Sequence, residues 1–494
     1  MTPGPAWLPL AVLLAPLALA LPAVVAPRRV RRALWVAGSA LTLALAALLA
    51  RRVVAGGPID AAGAQIRADG LGALMALLIT FLAFVCSLYA VAYLPGAHPR
   101  EPARRERLEQ RMPMFTGLFL VLETTLLWVV LTNHIVMLWV ALEATTLASA
   151  LLVSFYWDRR ALEAGYKYLL LLTVGITSAF FGCVLLYAAA APHLGEASAL
   201  LISNLRGVTG QIPPHLALLA LLLLLLGFGT KAGLAPFHPW VADAHAEAPA
   251  VMSAFLSSVI IKVPLVGLLR VWSIFGPRYP ELNAVLLWLG AFTMVVGAAL
   301  AVAQDDLKRL HAYSSVSQIG YVAAAIGLGT PFGYYAAVFF LLSHALAKAL
   351  LFLSTGAVVF AAREIRSLAA LGGLRHRLPL TAAFTLAGAL SLAGLPPFGG
   401  FLAKAQVVFA AAETRDWVVV GIATATSLLT MAYMTTMVQR VFWGAPRSSE
   451  LTLDDVREVP ASMCWAMGLL AAAVLALGLV PGWLDPMLSL VSGM

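Results

Sequence analysis

The chain has 494 residues, 62% hydrophobic and 11% charged, with mean hydropathy +0.92; no soluble fold hides that much apolar surface, so its solvent is largely lipid. The net charge of +9 does not point to nucleic acid, because the arginines stand in short clusters between apolar spans and no basic domain carries them. Cys86, Cys183 and Cys464 stand alone, with no CxxC pair and no glycine-rich phosphate loop anywhere, so no metal, iron–sulfur or nucleotide cofactor site is readable and energy for transport must come from a partner or an existing ion gradient.

The first element is the apolar run Trp7–Ala26, followed rather than preceded by Arg28, Arg29, Arg31 and Arg32. A cleaved signal peptide carries its positive charge first, so this run is expected to remain as a helix. Further apolar segments of spanning length centre near Leu43, Leu82, Val121, Leu142, Gly175, Leu224, Ile260, Val295, Ala323, Leu346, Leu390, Leu428 and Ala472, which with the first near Leu17 predict an all-α polytopic membrane protein of about 14 transmembrane helices. With the amino terminus outside, inner loops hold 20 of the 32 basic residues: the four after helix 1, five over Arg100–Arg111, Arg159, Arg160, Lys308, Arg309, four over Arg363–Arg377, Arg440, Arg447 and Arg457. Outer loops hold seven, Arg51, Arg52, Arg67, Arg206, Arg270, Arg278 and Arg415. That bias predicts a multi-pass protein of the bacterial inner membrane with its amino terminus outside.

The remaining five basic residues, Lys167, Lys231, Lys262, Lys348 and Lys404, fall inside predicted spans, although the chain has only six lysines against 26 arginines. Arginine releases its proton at no accessible pH, whereas a desolvated lysine can titrate. A site that loads and unloads protons therefore calls for lysine.

Gly233-Leu234-Ala235-Pro236-Phe237 recurs as Gly394-Leu395-Pro396-Pro397-Phe398, 394 − 233 = 161 residues later. Pro236 in one copy and Pro396 and Pro397 in the other must break their helices. The copies lie five spans apart, in helices 7 and 12, so the two broken helices run in opposite directions, the pattern of transporters built from inverted repeats. Broken helices survive in lipid only where protein or water satisfies the freed carbonyls, so the prolines also mark a wet interior.

Glu123 in helix 4, Glu143 in helix 5, Lys231, Lys262, Lys348 and Lys404 would each cost about 2.5–3.5 kcal/mol if isolated at mid-membrane. A buried Glu143–Lys231 pair that merely orients helices is the plain alternative, but two acids cannot pair four lysines. Lys167, four residues after Glu163 and near a helix end, reads equally as a surface pair. His344 precedes Lys348 by four residues on one helix face and is either a proton donor to it or a hydrogen-bonded core histidine. His238, His245 and His311 are placed at helix ends near the inner surface, with polar loop residues the preferred reading over proton entry groups. Ser314, Ser315, Ser317 and Gln318 line a hydrated path or bond between helices.

LWVALEATTLAS around Glu143, GTKAGLAPFHPWVADAHAEAPAVMSA around Lys231, DLKRLHAYSSVSQIGY at 306–321 and GLPPFGGFLAK ending at Lys404 resemble the antiporter-like subunits of respiratory complex I and their relatives in group 4 hydrogenases, formate hydrogenlyase and Mrp cation/proton antiporters. The resemblance runs from about Met114 to Arg440, and its EATTLAS and DAHAEAP wording is most similar to the F subunit of hydrogenase-4. It implies a proton-conducting fold of two inverted five-helix repeats, helices 4–8 (113–275) and 9–13 (276–445), with discontinuous helices 7 and 12, preceded by helices 1–3 (1–112) and followed by a loop with helix 14 (446–494); in it Glu143 and Lys231 form a coupled pair, Lys262 is the central relay, and Lys348 and Lys404 lead to the exit. It also implies other membrane subunits and a peripheral redox arm as partners, with redox cofactors held there and none in this chain. Two departures stand out. Ser257, with Lys262 five residues on, replaces the helix-8 histidine of the largest complex I member, and no long lateral helix follows helix 14. The first favours the shorter class of subunit.

Three readings compete: a subunit that moves H+ or Na+ under the control of a redox partner, a stand-alone secondary transporter of a small solute, and a structural subunit without conduction. The intact set of buried charges favours the first, and no sugar- or drug-facilitator loop signature between helices 2 and 3 supports the second.

Overall fold

The computed structural model describes residues 5–96, 102–445 and 453–492; Arg100 and Arg447, counted above with the inner loops, lie outside the described residues. The chain is built from helices α1 (Trp7–Val25), α2 (Arg28–Gly56), α3 (Gly70–Gly96), α4 (Pro102–Leu131), α5 (Ile135–Val153) and α6 (Arg159–Leu194), then α7 (Pro214–Ala232), α8 (Pro239–Glu247) and α9 (Ala250–Phe275). The second half comprises α10 (Pro280–Val302), α11 (Leu307–Gly327), α12 (Pro331–Ala361), α13 (Pro379–Ala393), α14 (Gly399–Glu413), α15 (Trp417–Val438), α16 (Ala461–Leu479) and α17 (Asp485–Ser492).

Every expected segment centre falls within one of these helices, and among the described residues 12 are long and apolar enough to cross a membrane. The two expected segments outside that set have visible reasons. The tenth, α11, carries the buried polar run Ser314, Ser315, Ser317 and Gln318, and the twelfth is cut in two, leaving α13 with only 15 residues.

The halves are arranged around a buried centre. Over their most apolar stretches α9 and α12 are wholly buried, whereas α6 and α16 are only 33% buried and turn the rest of their surface outward. Such a perimeter suits lipid, which needs no polar face. Close helix pairing in the second half depends on small residues: Gly290 and Gly297 of α10 abut the backbone of α11, and Gly320 and Gly327 of α11 abut that of α10.

Both expected breaks are present and share one hydrogen-bond pattern. Helix α7 ends at Gly233 (φ 78°), whose N–H donates to Thr230 O at 3.1 Å while Leu234 N–H donates to Gly229 O at 2.9 Å. Helix α13 ends at Gly394 (φ 81°), with Gly394 N–H to Ser391 O and Leu395 N–H to Leu390 O, both at 3.0 Å. This is the Schellman closure, which needs a left-handed residue and therefore glycine. The Ala235–Pro236 and Pro396–Pro397 peptide bonds that follow are cis.

Three features depart from the sequence reading. A two-stranded antiparallel hairpin, Ile59–Ala61 with Ile66–Ala68, sits between α2 and α3, in the segment read from the sequence as the outer loop that holds Arg67. Arg270, assigned to an outer loop, is 5% exposed in the last turns of α9 and donates to Thr132 O (2.8 Å) and Val130 O (2.7 Å) at the end of α4, while pairing with Asp69 (3.0 Å). A cation there neutralises the negative helix end, so burial is compensated. Lys308, assigned to an inner loop, is 4% exposed and is likewise spent on carbonyls, as described next.

Candidate functional site: a buried polar row between the two breaks

The row begins on α5. Lys231, in the last turn of α7, is fully buried and donates to Leu142 O and Thr146 Oγ1. Glu143, half-buried on α5, accepts from Thr173 Oγ1 of α6 at 2.9 Å, and its other oxygen has no partner. The two side chains are neighbours on α5 and α7, but no salt bridge joins them among the described residues. Lys231 reaches one carbonyl short of the carboxylate, which turns toward α6.

At the centre, α9 carries a π-turn over Leu256–Ile260, in which Ile261 N–H donates to Leu256 O, five residues back, at 3.2 Å. This wider turn frees the Ser257 carbonyl, and Lys262 Nζ donates to it at 2.5 Å. Pro264, which has no N–H, keeps the following turn open as well. Ser257 Oγ lies 2.8 Å from Ser315 Oγ of α11, Ser315 Oγ donates to His311 O at 2.9 Å, and Lys348 Nζ of α12 donates to that same carbonyl at 2.7 Å and to Ser314 Oγ. Lys262 and Lys348 thus lie at the two ends of a row made of the Ser257 carbonyl and hydroxyl, the Ser315 hydroxyl and the His311 carbonyl, with all members buried.

Beyond Lys348 the row continues to the second break. His344 is 2% exposed and neither ring nitrogen has a hydrogen-bond partner. It lines a cavity of about 10 Å³ together with Gln318, Ser343, Ser391 and Lys404. Ser391 Oγ is also without a partner. A space of that order is enough for about one water. Lys404 Nζ donates to Ala393 O (3.3 Å), the last carbonyl before the break, and to Ser427 Oγ (3.1 Å), and lies 5.6 Å from the Tyr321 ring centroid.

The other expected residues separate into groups. Glu123 is buried in α4 with neither carboxylate oxygen hydrogen-bonded. Lys167 is 48% exposed, pairing with Glu163 (2.6 Å) and Asp243 (3.5 Å), as a surface residue would. His238 is half-buried, but His245 and His311 are fully buried, not the surface loop residues expected of them. Helix α8 and the first turns of α11 carry them inward, and both rings pack on Phe352.

Lys308 escapes the sequence reading because DLKR looks like a loop. Its Nζ donates to Ala246 O (3.3 Å) and Ala248 O (2.6 Å), and Arg366 donates to Ala246 O (2.7 Å), so two cations hold the carboxyl end of α8. Arg309 pairs with Asp243 of α8 at 2.6 Å. A cavity of about 420 Å³ opens beside this clasp, lined by Lys308, Arg366, Glu247, Arg159 and Tyr93. The signal that could have found Lys308 is its lysine identity in a chain whose loops use arginine.

Broken helices, buried lysines without carboxylate partners and a hydroxyl-lined interior define an ion-conducting, multi-pass membrane protein. Residues 132–430 match the family model described as NADH:quinone oxidoreductase/Mrp antiporter, TM. The chain is 32% identical over 434 residues to NADH-quinone oxidoreductase subunit N of Desulforudis audaxviator, covering 84% of this chain and 82% of that one. It is 31% identical over 359 residues to the hydrogenase-4 component F homolog of Methylacidiphilum infernorum, covering 71% and 74%. Its fold matches a chain in the structure of the Mrp complex from Dietzia sp. DQ12-45-1b with TM-score 0.86 at 24% identity, covering 99% and 96%. The protein belongs to the NADH:quinone oxidoreductase/Mrp antiporter transmembrane family and is an antiporter-like, proton-translocating membrane subunit of it.

Proposed function

We propose that the chain conducts protons along the row Glu143, Lys231, Lys262, Lys348, His344 and Lys404 as one membrane subunit of a redox-driven complex of the hydrogenase-4/formate hydrogenlyase or complex I kind. The observation that carries this reading is the row of buried polar groups from Lys262 to Lys348, followed by a one-water cavity between His344 and Lys404. A partner's redox chemistry would move the Glu143 carboxylate relative to Lys231. A nearby carboxylate favours the charged ammonium, so drawing it away drives the proton on toward Lys262. The cavity beside Lys308 serves as the inner mouth. In this reading the chain crosses the inner membrane fourteen times with its amino terminus outside, as two inverted five-helix repeats, and redox cofactors reside in a peripheral arm. Glu123, Lys167, His311 and Ser257 are secondary members.

Lys231→Ala and Glu143→Ala should each abolish coupled proton uptake by vesicles carrying the assembled complex. Wild-type pumping by either variant would overturn the assignment, whereas loss of assembly would favour a purely structural pair. Cation/proton antiport is the second reading, favoured by the Mrp half of the family description. It predicts proton movement that depends on a sodium gradient and not on the redox partner.

A further inference from the structure

Arg28, Arg29, Arg31 and Arg32 fill the first turns of α2. Orientation in the membrane accounts for the side on which they lie, but not for their place inside a helix. Aligned peptide dipoles put about half a positive charge at that end, so arginines there repel both it and one another. The cap residue is Pro27, with no side-chain cap bond, and no acidic residue occupies the first turn. Compensation comes from α4, where Glu109 pairs with Arg28 at 2.9 Å at an exposed site.

A cavity of about 290 Å³ opens beside them, among the ends of α2, α3 and α4. Arg28, Arg31, Arg32 and Trp35 line one side; Val91 and Met112 form an apolar wall, and the Glu106 and Glu109 carboxylates lie at its α4 edge. Two buried side chains here have donors to spare. Trp35 is 1% exposed and its Nε1–H has no hydrogen-bond partner. Arg31 is 9% exposed and donates one bond, Nη1 to Ala26 O at 3.3 Å. An unsatisfied indole N–H just behind the wall of a space that a guanidinium also lines suits an oxyanion. The adjoining surface is that of a membrane: Leu21 and Val25 of α1 and Val30 and Leu41 of α2 are 72%, 75%, 48% and 55% exposed.

We propose that this cavity binds the headgroup of an anionic phospholipid, whose phosphate accepts from Arg31, Arg32 and Trp35 Nε1 while its acyl chains run along α1 and α2. The negative charge also relieves the repulsion at the start of α2. Basic pockets between helix ends at a membrane surface are sites of this kind.

The test is native mass spectrometry of the detergent-purified full chain titrated with phosphatidylglycerol and phosphatidylcholine of matched acyl chains. The wild type should prefer phosphatidylglycerol by about tenfold, the order expected from two arginines near a phosphate. Arg31→Gln with Arg32→Gln should abolish the preference. Arg51→Gln with Arg52→Gln, at the exposed opposite end of the same helix, should leave it intact. Trp35→Phe, which keeps the charges and most of the ring, should weaken it several-fold, and it decides the matter if the double arginine variant does not fold. Millimolar glycerol 3-phosphate should not displace the lipid. Equal retention of the two lipids, equal loss in the Arg51/Arg52 control, unchanged binding by Trp35→Phe, or displacement by the soluble phosphate would each overturn the proposal, the last reassigning the cavity to a free phosphate ester.

Discussion

The two helix breaks have the same backbone and different lysines. At the first, Lys231 stands just before Gly233, on the helix that ends, and spends its ammonium on α5; the Thr230 carbonyl beside it is served by Gly233 N–H and by Trp240 Nε1 at 3.0 Å. At the second, Lys404 stands on the helix that begins, and its ammonium closes the break itself through Ala393 O. In the first case the lysine is therefore free of the break and coupled to the helix that carries Glu143, and in the second it is part of the break. A shared fold does not make two buried lysines equivalent; what each one's nearest carbonyl lacks decides its second duty.

The largest effects expected are on transport. Lys231→Ala and Lys404→Ala should both stop proton uptake, but only Lys404→Ala should also destabilise the chain, by about 1–3 kcal/mol, because a buried terminal carbonyl loses its charged donor. Ala393 O would then keep only Ser427 Oγ, at 3.5 Å. Leu142 O, within α5, keeps its helical partner when Lys231 is removed. Thermal unfolding of the two purified variants side by side checks this, and equal melting would break the comparison. Lys262→Arg tests the stretch between the breaks: an arginine stays protonated, so a relay should stall even though the charge remains. Lys262→Met is its control. Conduction by the arginine variant alone would reduce Lys262 to a fixed field.

Smaller effects should separate the glycines. Either Gly233→Ala or Gly394→Ala forces a side chain into left-handed backbone and should cost about 1–2 kcal/mol. An added Cβ at Gly233 would meet Val241 Cγ2 at 2.8 Å, whereas at Gly394 it would meet Lys404 Cδ at 2.8 Å. Proton uptake should consequently fall further in the Gly394 variant than stability alone accounts for. The smallest effect belongs to Trp240→Phe, which removes one donor to Thr230 O and should lower stability by about 1 kcal/mol with transport retained. Unfolding curves and vesicle uptake on the same preparations distinguish these outcomes.

The helices, both breaks and the buried lysines are legible in the sequence because each has a strong local signature: apolar length, a glycine–proline repeat, and lysine where loops use arginine. Lys308 and Arg270 are misplaced by it because a cation near a helix end looks the same in sequence whether it faces water or caps a neighbour's carbonyls. The partners of Lys262 are illegible for a different reason. They depend on a π-turn at Leu256–Ile260, a one-residue change in winding with no compositional mark. The direction of Glu143, toward Thr173 and away from Lys231, is likewise set by how α5 and α6 pack.

The burial of the whole apolar stretch of α12 has a consequence for how the protein is made. Of the helices that enclose it, α13, α14, α16 and α17 come later in the chain. A growing polypeptide that has reached Ala361 thus holds His344 and Lys348 in a helix only some of whose walls have been synthesised. Until they arrive, those polar groups must lean on α9 and α11 or face lipid, at about 2.5–3.5 kcal/mol for an unshielded lysine. Chains halted before α13 should accordingly be poor at leaving the insertion machinery and good substrates for membrane proteases, so quality control during synthesis would read the same lysine that stands in the proposed proton row.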